Sequence, residues 1–143
     1  MTKTSEFKRI MAIDFGLKRI GIALTDPLKI FAYSFKTIYN DSKTFDEIGK
    51  IINDQDVEKI ILGLPLKESG ADSSITKDVI KFKDTIEKKF LLEVLLRDER
   101  YSSSIAMEQI LQSVSKKSKR KEKSLVDKGA AAVILQGYLD EIK

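Results

Sequence analysis

The stretch Ile10-Met11-Ala12-Ile13-Asp14-Phe15-Gly16-Leu17-Lys18-Arg19-Ile20-Gly21-Ile22-Ala23-Leu24 places two short apolar runs on either side of an acid, a glycine and two bases. It reads as a hairpin, with Gly16 available for the positive φ that a tight connection needs. A third strand is predicted over Ile30 to Ile38, where Tyr33, Phe35 and Ile38 are good strand formers. From Asp41 to Asn53 the residues Phe45, Ile48, Ile51 and Ile52 recur at helical spacing, with Asp41 or Ser42 as N-cap. Val57 to Leu64 is a nearly continuous apolar strand that Pro65 must stop, since proline has no N–H for the ladder.

A second helix from about Ser74 to Lys88 puts Val79, Phe82 and Ile86 on one face. Leu91 to Leu96 is the next strand and runs into Arg97-Asp98-Glu99-Arg100; a helix from Ser103 to Val114 follows. Lys116 to Lys123 reads as a basic loop before a last helix, Ser124 to Ile142, whose centre from Ala130 to Leu135 is apolar all round and expected to be buried. Strands alternating with helices in the second half imply a parallel sheet entered by an antiparallel hairpin. Active sites of such sheets lie beyond the carboxyl ends of the strands, where Asp14 and Glu99 both fall.

Composition narrows the chemistry. With 143 residues, one domain spanning 1–143 is expected. The absence of cysteine excludes disulfides and thiolate metal sites and suits a reducing cytoplasm. The run Ile10 to Ile13 falls short of the roughly 7–15 residues of a signal h-region. No uncharged apolar stretch approaches the roughly 18 residues of a membrane span, so neither secretion nor membrane insertion is expected. The absence of histidine removes the Ser-His-Asp triad, imidazole-ligated zinc and the commonest general base. Asp and Glu remain as the main ligands, and they favour Mg²⁺ or Mn²⁺.

Taken singly, the candidate residues leave alternatives open. Asp14 is either a turn aspartate bonded to nearby amides or a cation ligand beside a buried strand. Glu99 alone is indistinguishable from a solvated loop residue. Ser124-Leu125-Val126-Asp127 fits a capping box, while Ala130, Ala131 and Ala132 would let the same helix approach the sheet and bring Asp127 to the strand ends. Lys116 to Lys123 holds six bases and one acid in a chain of net charge +4, so the positive charge is focused there, as a solvated loop or a phosphate-binding arm. Gly63 before Leu64-Pro65-Leu66 ends a strand and also permits close backbone approach of a ligand.

Together the segments resemble the YqgF family, known as Holliday junction resolvases and as pre-16S ribosomal RNA nucleases. The resemblance covers nearly the whole chain. It rests on Ala12-Ile13-Asp14-Phe15-Gly16 through Arg19-Ile20-Gly21-Ile22-Ala23, on Gly63-Leu64-Pro65-Leu66, on Asp98-Glu99-Arg100, and on Val126-Asp127 with Ala130-Ala131 and Ile134-Leu135-Gln136. Tyr101-Ser102-Ser103 stands where the family usually has Leu-Thr-Thr, and Gly70-Ala71-Asp72-Ser73 lacks a second glycine common there.

The resemblance implies an RNase H-like α/β fold: a five-stranded mixed sheet, the first three strands antiparallel and the remainder parallel, with helices on both faces. It carries an acidic triad onto Asp14, Glu99 and Asp127, with Asp14 bridging two Mg²⁺ or Mn²⁺ ions and each of the others completing one shell. Gly16, Arg19, Gly63, Arg100, Lys116, Lys117, Lys119, Arg120 and Lys121 are the expected substrate contacts. The implied activity is 5′-end maturation of an rRNA precursor, with the ribosome as a possible setting, or cleavage of branched DNA at the same site, by a monomer or homodimer. Two rivals are a noncatalytic nucleic-acid-binding module and an actin-like or sugar-kinase ATPase. The latter needs two such domains.

Replacing Lys116, Lys117, Lys119, Arg120 and Lys121 by glutamine is expected to weaken nucleic-acid binding and leave folding intact. Each lost phosphate contact should lower the slope of log K against log salt by roughly 0.7–0.9. An unchanged slope in a salt titration would make the cluster a solvated surface only.

Overall fold

The computed structural model describes residues 8–64, 75–98 and 119–142, and the side chains of all of these except 119–128. In chain order the elements are β1 (Arg9–Asp14), β2 (Arg19–Thr25), β3 (Ala32–Tyr39), α1 (Thr44–Asp54), β4 (Val57–Leu64), α2 (Thr76–Phe90), β5 (Glu93–Asp98) and α3 (Lys119–Ile142). They build a five-stranded sheet in the order β3-β2-β1-β4-β5. β1, β2 and β3 pair antiparallel, and β1, β4 and β5 pair parallel, as the segment order implies.

Both faces of the sheet are covered, and the alternation of strand side chains divides them. On one face Met11, Ile13, Ile20, Ile22, Leu24, Ile60, Leu62 and Val94 pack against Ile48 and Ile51 of α1 and Val79, Phe82 and Ile86 of α2. On the other, Ile10, Ala12, Ala23 and Ile61 meet Ala131, Ile134, Leu135 and Leu139 of α3. The small residues at Ala12, Ala23 and Ala131 let α3 lie close to the sheet. Full burial of an isoleucine or leucine contributes about 1.5–3 kcal/mol, so these two layers carry most of the stabilisation.

α3 differs from the expected final helix. It already includes Lys119 to Lys123, five residues read from sequence as loop. Lysine, arginine and glutamate are good helix formers and no breaker separates them from Ser124, so the helix extends through them. Ser124 and Asp127 are therefore interior helical positions and not a capping box. The helix is also one-sided: Ala130, Ala131, Ile134 and Leu135 are buried, whereas Ala132 and Val133 are half-buried. Its last turns are tied down by Gln136 Oε1, which accepts from Ala32 N at 3.0 Å, and by Glu141, which takes a 2.7 Å charged bond from Arg97 of β5.

Three element starts move for identifiable reasons. β3 begins at Ala32 and not Ile30, because the Asp26 carboxylate draws in the amides of Leu28 (3.1 Å), Ile30 (2.8 Å) and Phe31 (2.7 Å). Partial burial pushes the Asp26 carboxyl up, but these backbone donors outweigh it and hold the group below the usual carboxylate range. α1 begins at Thr44, two or three residues after the predicted caps: Asp41 Oδ1 accepts from Lys43 N at 2.9 Å, and Thr44 Oγ1 accepts from Asp41 N at 2.8 Å. β5 begins at Glu93 because α2 runs on to Phe90 and closes with Leu91 in the left-handed region, at φ 54°. The segment predicted as a helix from Ser103 to Val114 lies outside the described residues.

Leu91 is 86% exposed and occupies a position where glycine ordinarily ends a helix. The left-handed conformation costs an L-residue about 1–2 kcal/mol, which glycine's greater unfolded-chain entropy offsets in part. Leu91→Gly should therefore stabilise the protein by about 0.5–1 kcal/mol, seen in urea unfolding as a higher midpoint at constant slope. A midpoint equal to or below that of the wild type would contradict this.

Candidate active site

Asp14 is the last residue of β1, the central strand. It follows Ile10 and Ala12 at steps of two, so it belongs to the face that α3 covers. Its neighbours in the sheet are small. Gly21 of β2 stands directly opposite and is in turn paired with Thr37 of β3. On the other side Ile13 pairs with Leu62, which brings Gly63 abreast of Asp14, and Gly63 pairs with Arg97. A half-buried carboxylate thus stands between two glycines in a floor that runs Thr37, Gly21, Asp14, Gly63, Arg97. A cleft of about 230 Å³ opens over this floor, lined by Asp14, Phe15, Gly16, Lys18, Arg19, Gly21 and Thr37. One carboxylate and two exposed cations share it, the combination needed to hold a metal ion and a phosphate together.

The turn that carries Asp14 is fixed on both sides. Phe15 points to the opposite face, where its ring lies 4.9 Å from Phe82 of α2, itself stacked at 5.3 Å on Phe45 of α1. Asn40, just after β3, donates from Nδ2 to Gly16 O at 2.9 Å and from its backbone N to Lys18 O at 2.9 Å. Gly16 does not take the positive φ expected of it. Glycine is required there because a Cβ would collide with the backbone carbonyl oxygen of Arg19.

Of the sequence-predicted residues, the structure brings Asp14, Gly16 and Arg19 into the cleft and sets Gly63 beside Asp14 in the sheet. Glu99, Arg100, Lys116 and Lys117 lie outside the described residues. Asp127, Lys119, Arg120 and Lys121 lie on α3 in the part whose side chains are not described. Among the described residues no three acidic side chains gather into a metal cage, and no helix is long and apolar enough to cross a membrane.

The sequence reading gave no role to Gly21, Thr37 or Asn40. Gly21 and Thr37 could have been found only with the register of β1, β2 and β3 in hand. Asn40 carried a weak signal, as a turn-forming residue directly after a strand.

A mixed sheet in this order, with a carboxylate at the carboxyl end of its central strand, defines an RNase H-like fold. The fowlpox virus resolvase, solved in complex with its substrate Holliday junction DNA, shares this fold at a TM-score of 0.54 and 14% identity, with 94% of this chain and 98% of that one covered. The chain belongs to the RuvX family, described as Holliday junction resolvase, whose model matches residues 8–141.

Relatives named "Putative pre-16S rRNA nuclease" include one from Sulfurihydrogenibium sp. (strain YO3AOP1), 39% identical over 94% of this chain and 91% of the relative. Another, from Endomicrobium trichonymphae, is 43% identical over 92% and 95%. The chain is thus a nuclease, a hydrolase acting on ester bonds, and membership of a resolvase and nuclease family points in general to a divalent metal.

Gly16→Ala should lower the melting temperature by several degrees, since forcing a side chain onto packed backbone costs about 1–3 kcal/mol. Asn40→Ala, which removes the bond to Gly16 O, should cost about 1 kcal/mol and reduce turnover more than stability. Wild-type melting and turnover in Gly16→Ala would show that the turn can move aside.

Proposed function

We propose that the protein hydrolyses a phosphodiester at the 5′ side of a 16S rRNA precursor, using divalent metal held by Asp14 with Glu99 and Asp127. The observation that carries the reading is the placement of Asp14 at the end of the central strand, between two glycines and under a cleft that also holds Lys18 and Arg19. The choice of an rRNA precursor rests on the name shared by relatives 36–43% identical over nearly the whole chain. A four-way DNA junction is the second reading, favoured by the description of the matching family. The absence of cysteine fits a cytoplasmic setting.

The course of α3 supports the inclusion of Asp127: the helix that packs Ala131, Ile134 and Leu135 on the Asp14 face of the sheet continues back through position 127, four residues before Ala131 and seven before Ile134. β5 ends at the same carboxyl end of the sheet with the Leu64–Asp98 pair, and Glu99 is the next residue in the sequence.

The donors fit a hard cation, because a carboxylate set without histidine or cysteine selects Mg²⁺ or Mn²⁺. When bound, such ions would supply an activated water and charge neutralisation at the leaving oxygen. The chain's own part is positional. Gly21 and Gly63 keep the floor low enough for a sugar-phosphate backbone to reach Asp14. Lys18 and Arg19 hold the phosphate, and the Phe15–Phe82 contact keeps the turn from yielding as it binds. Arg100 and the bases from Lys116 to Lys121 would extend this cationic track along the substrate.

Cleavage should require Mg²⁺ or Mn²⁺, and Ca²⁺ should support binding without turnover. Ca²⁺ sits at about 2.3–2.6 Å with loose geometry, against about 2.0–2.1 Å and a near-octahedral shell for Mg²⁺, and small misplacements cost rate on the order of 100-fold. Asp14→Asn should lose at least that much. Glu99→Gln and Asp127→Asn should raise the metal concentration needed, and all three should still bind substrate. The assay offers an rRNA precursor and a four-way junction to wild type and Asp14→Asn in parallel. Metal-independent cutting, or full activity in Asp14→Asn, would refute the mechanism, and the product pattern decides between the two substrates.

A further inference from the structure

We infer that Tyr39 is a stacking platform for an unpaired nucleobase of the substrate strand, so that the cleft takes nucleic acid whose bases are unstacked beside the scissile phosphate. The inference rests on the nuclease reading of Asp14 and adds the form of substrate the site accepts.

Four observations point to it. Tyr39 is 69% exposed, and among the described residues its ring and hydroxyl have no bonding partner, so it contributes little to the core. It pairs with Arg19 across β2 and β3, two residues along from the Thr37–Gly21 pair. Opposed residues share a face, so Tyr39 stands on the same side of the sheet as Arg19, Thr37 and Asp14, at the rim of the cleft. With neighbouring strands about 4.8 Å apart and two residues spanning about 6.8 Å, Tyr39 lies about 12 Å from Asp14 along the floor. A strand lying on Lys18 and Arg19 with one phosphate at Asp14 would carry a neighbouring base over this ring.

The platform is also held rigid. Thr44 Oγ1 donates to Tyr39 O at 3.0 Å, and the next residue, Asn40, is bonded to both Lys18 O and Gly16 O. Little freedom is left to lose on binding except the side-chain torsions, which suits an aromatic anchor. An aromatic face beside cations is the general arrangement for gripping single strands without sequence preference. The ordinary alternative is a strand former that tolerates solvent; it predicts no effect on ligand binding.

The test uses a short single-stranded RNA with 2-aminopurine at successive positions, the same sequence as a duplex, and Ca²⁺ in place of Mg²⁺. For wild type, quenching is expected at one position of the single strand. Tyr39→Leu, similar in bulk but without a π face, should lose that quenching and weaken single-strand binding by about tenfold, while duplex binding changes far less. Tyr39→Phe should retain both. In Mg²⁺ the loss in Tyr39→Leu should fall on KM more than on kcat. Wild-type affinity and quenching in Tyr39→Leu, or equal weakening of single strand and duplex, would overturn the inference. The nuclease reading would still stand if Asp14→Asn had lost cleavage. Full cutting by Asp14→Asn would remove the site reading and this inference with it.

Discussion

β1 has no face open to water, and the rest of the structure depends on that constraint. Its odd positions, Met11 and Ile13, are enclosed by α1 and α2, and its even ones, Ile10 and Ala12, by α3. A strand buried on both sides cannot slip by one residue without exchanging its two sets of side chains. Asp14 is therefore held on the α3 side as firmly as Ala12. The next residue turns the same constraint into positioning, because Phe15 must go to the other face and finds Phe82 there. The acid and the aromatic ring, adjacent in sequence, are pulled in opposite directions by the two cores. The carboxylate that results is set by packing and not by a flexible loop.

The lining of the cleft follows from what borders that strand. Any side chain at Gly21 or Gly63 would stand beside Asp14 and raise the floor. Lys18 reaches the cleft from a connection only four residues long, too short to wander once Asn40 has bonded two of its carbonyls, and Arg19 from the first position of β2. Bonds to the backbone carbonyls of Gly16, Lys18 and Tyr39 hold the rim together, two of them donated by the side chains of Asn40 and Thr44.

Much of this was legible in the sequence. The five strands, their order of appearance and the apolar faces of α1 and α2 follow from periodicity, since burial on one or two sides leaves a direct imprint on residue pattern. β4 was read to its exact bounds because an apolar run ends there at a proline. Asp14, Gly16 and Arg19, which the hairpin and the family resemblance single out, line one cleft. What escaped was set by bonds between residues distant in sequence or by competition at element ends. Asp26 captured amides that the strand pattern had assigned to β3, α2 ran past its predicted end, and nothing in a basic run announced whether it would be loop or helix. Gly21, Thr37 and Asn40 matter through register and turn geometry, which no local pattern encodes. The glycine at position 16 was placed correctly for the wrong reason, since a steric conflict and not a backbone angle demands it.

The packing of α3 has a consequence in time. The face of the sheet that holds Asp14 is made from residues 10 to 97, yet its cover comes from residues 130 to 139, synthesised after every strand they lie on. At the roughly 5–20 residues per second of translation, that face spends several seconds without its lid. The α1 and α2 side, by contrast, can be closed once Val94 has emerged. A ribosome making this protein therefore carries a half-built sheet whose carboxylate is not yet framed, and a chain interrupted before α3 would keep the apolar surface of Ile10, Ala12, Ala23 and Ile61 bare.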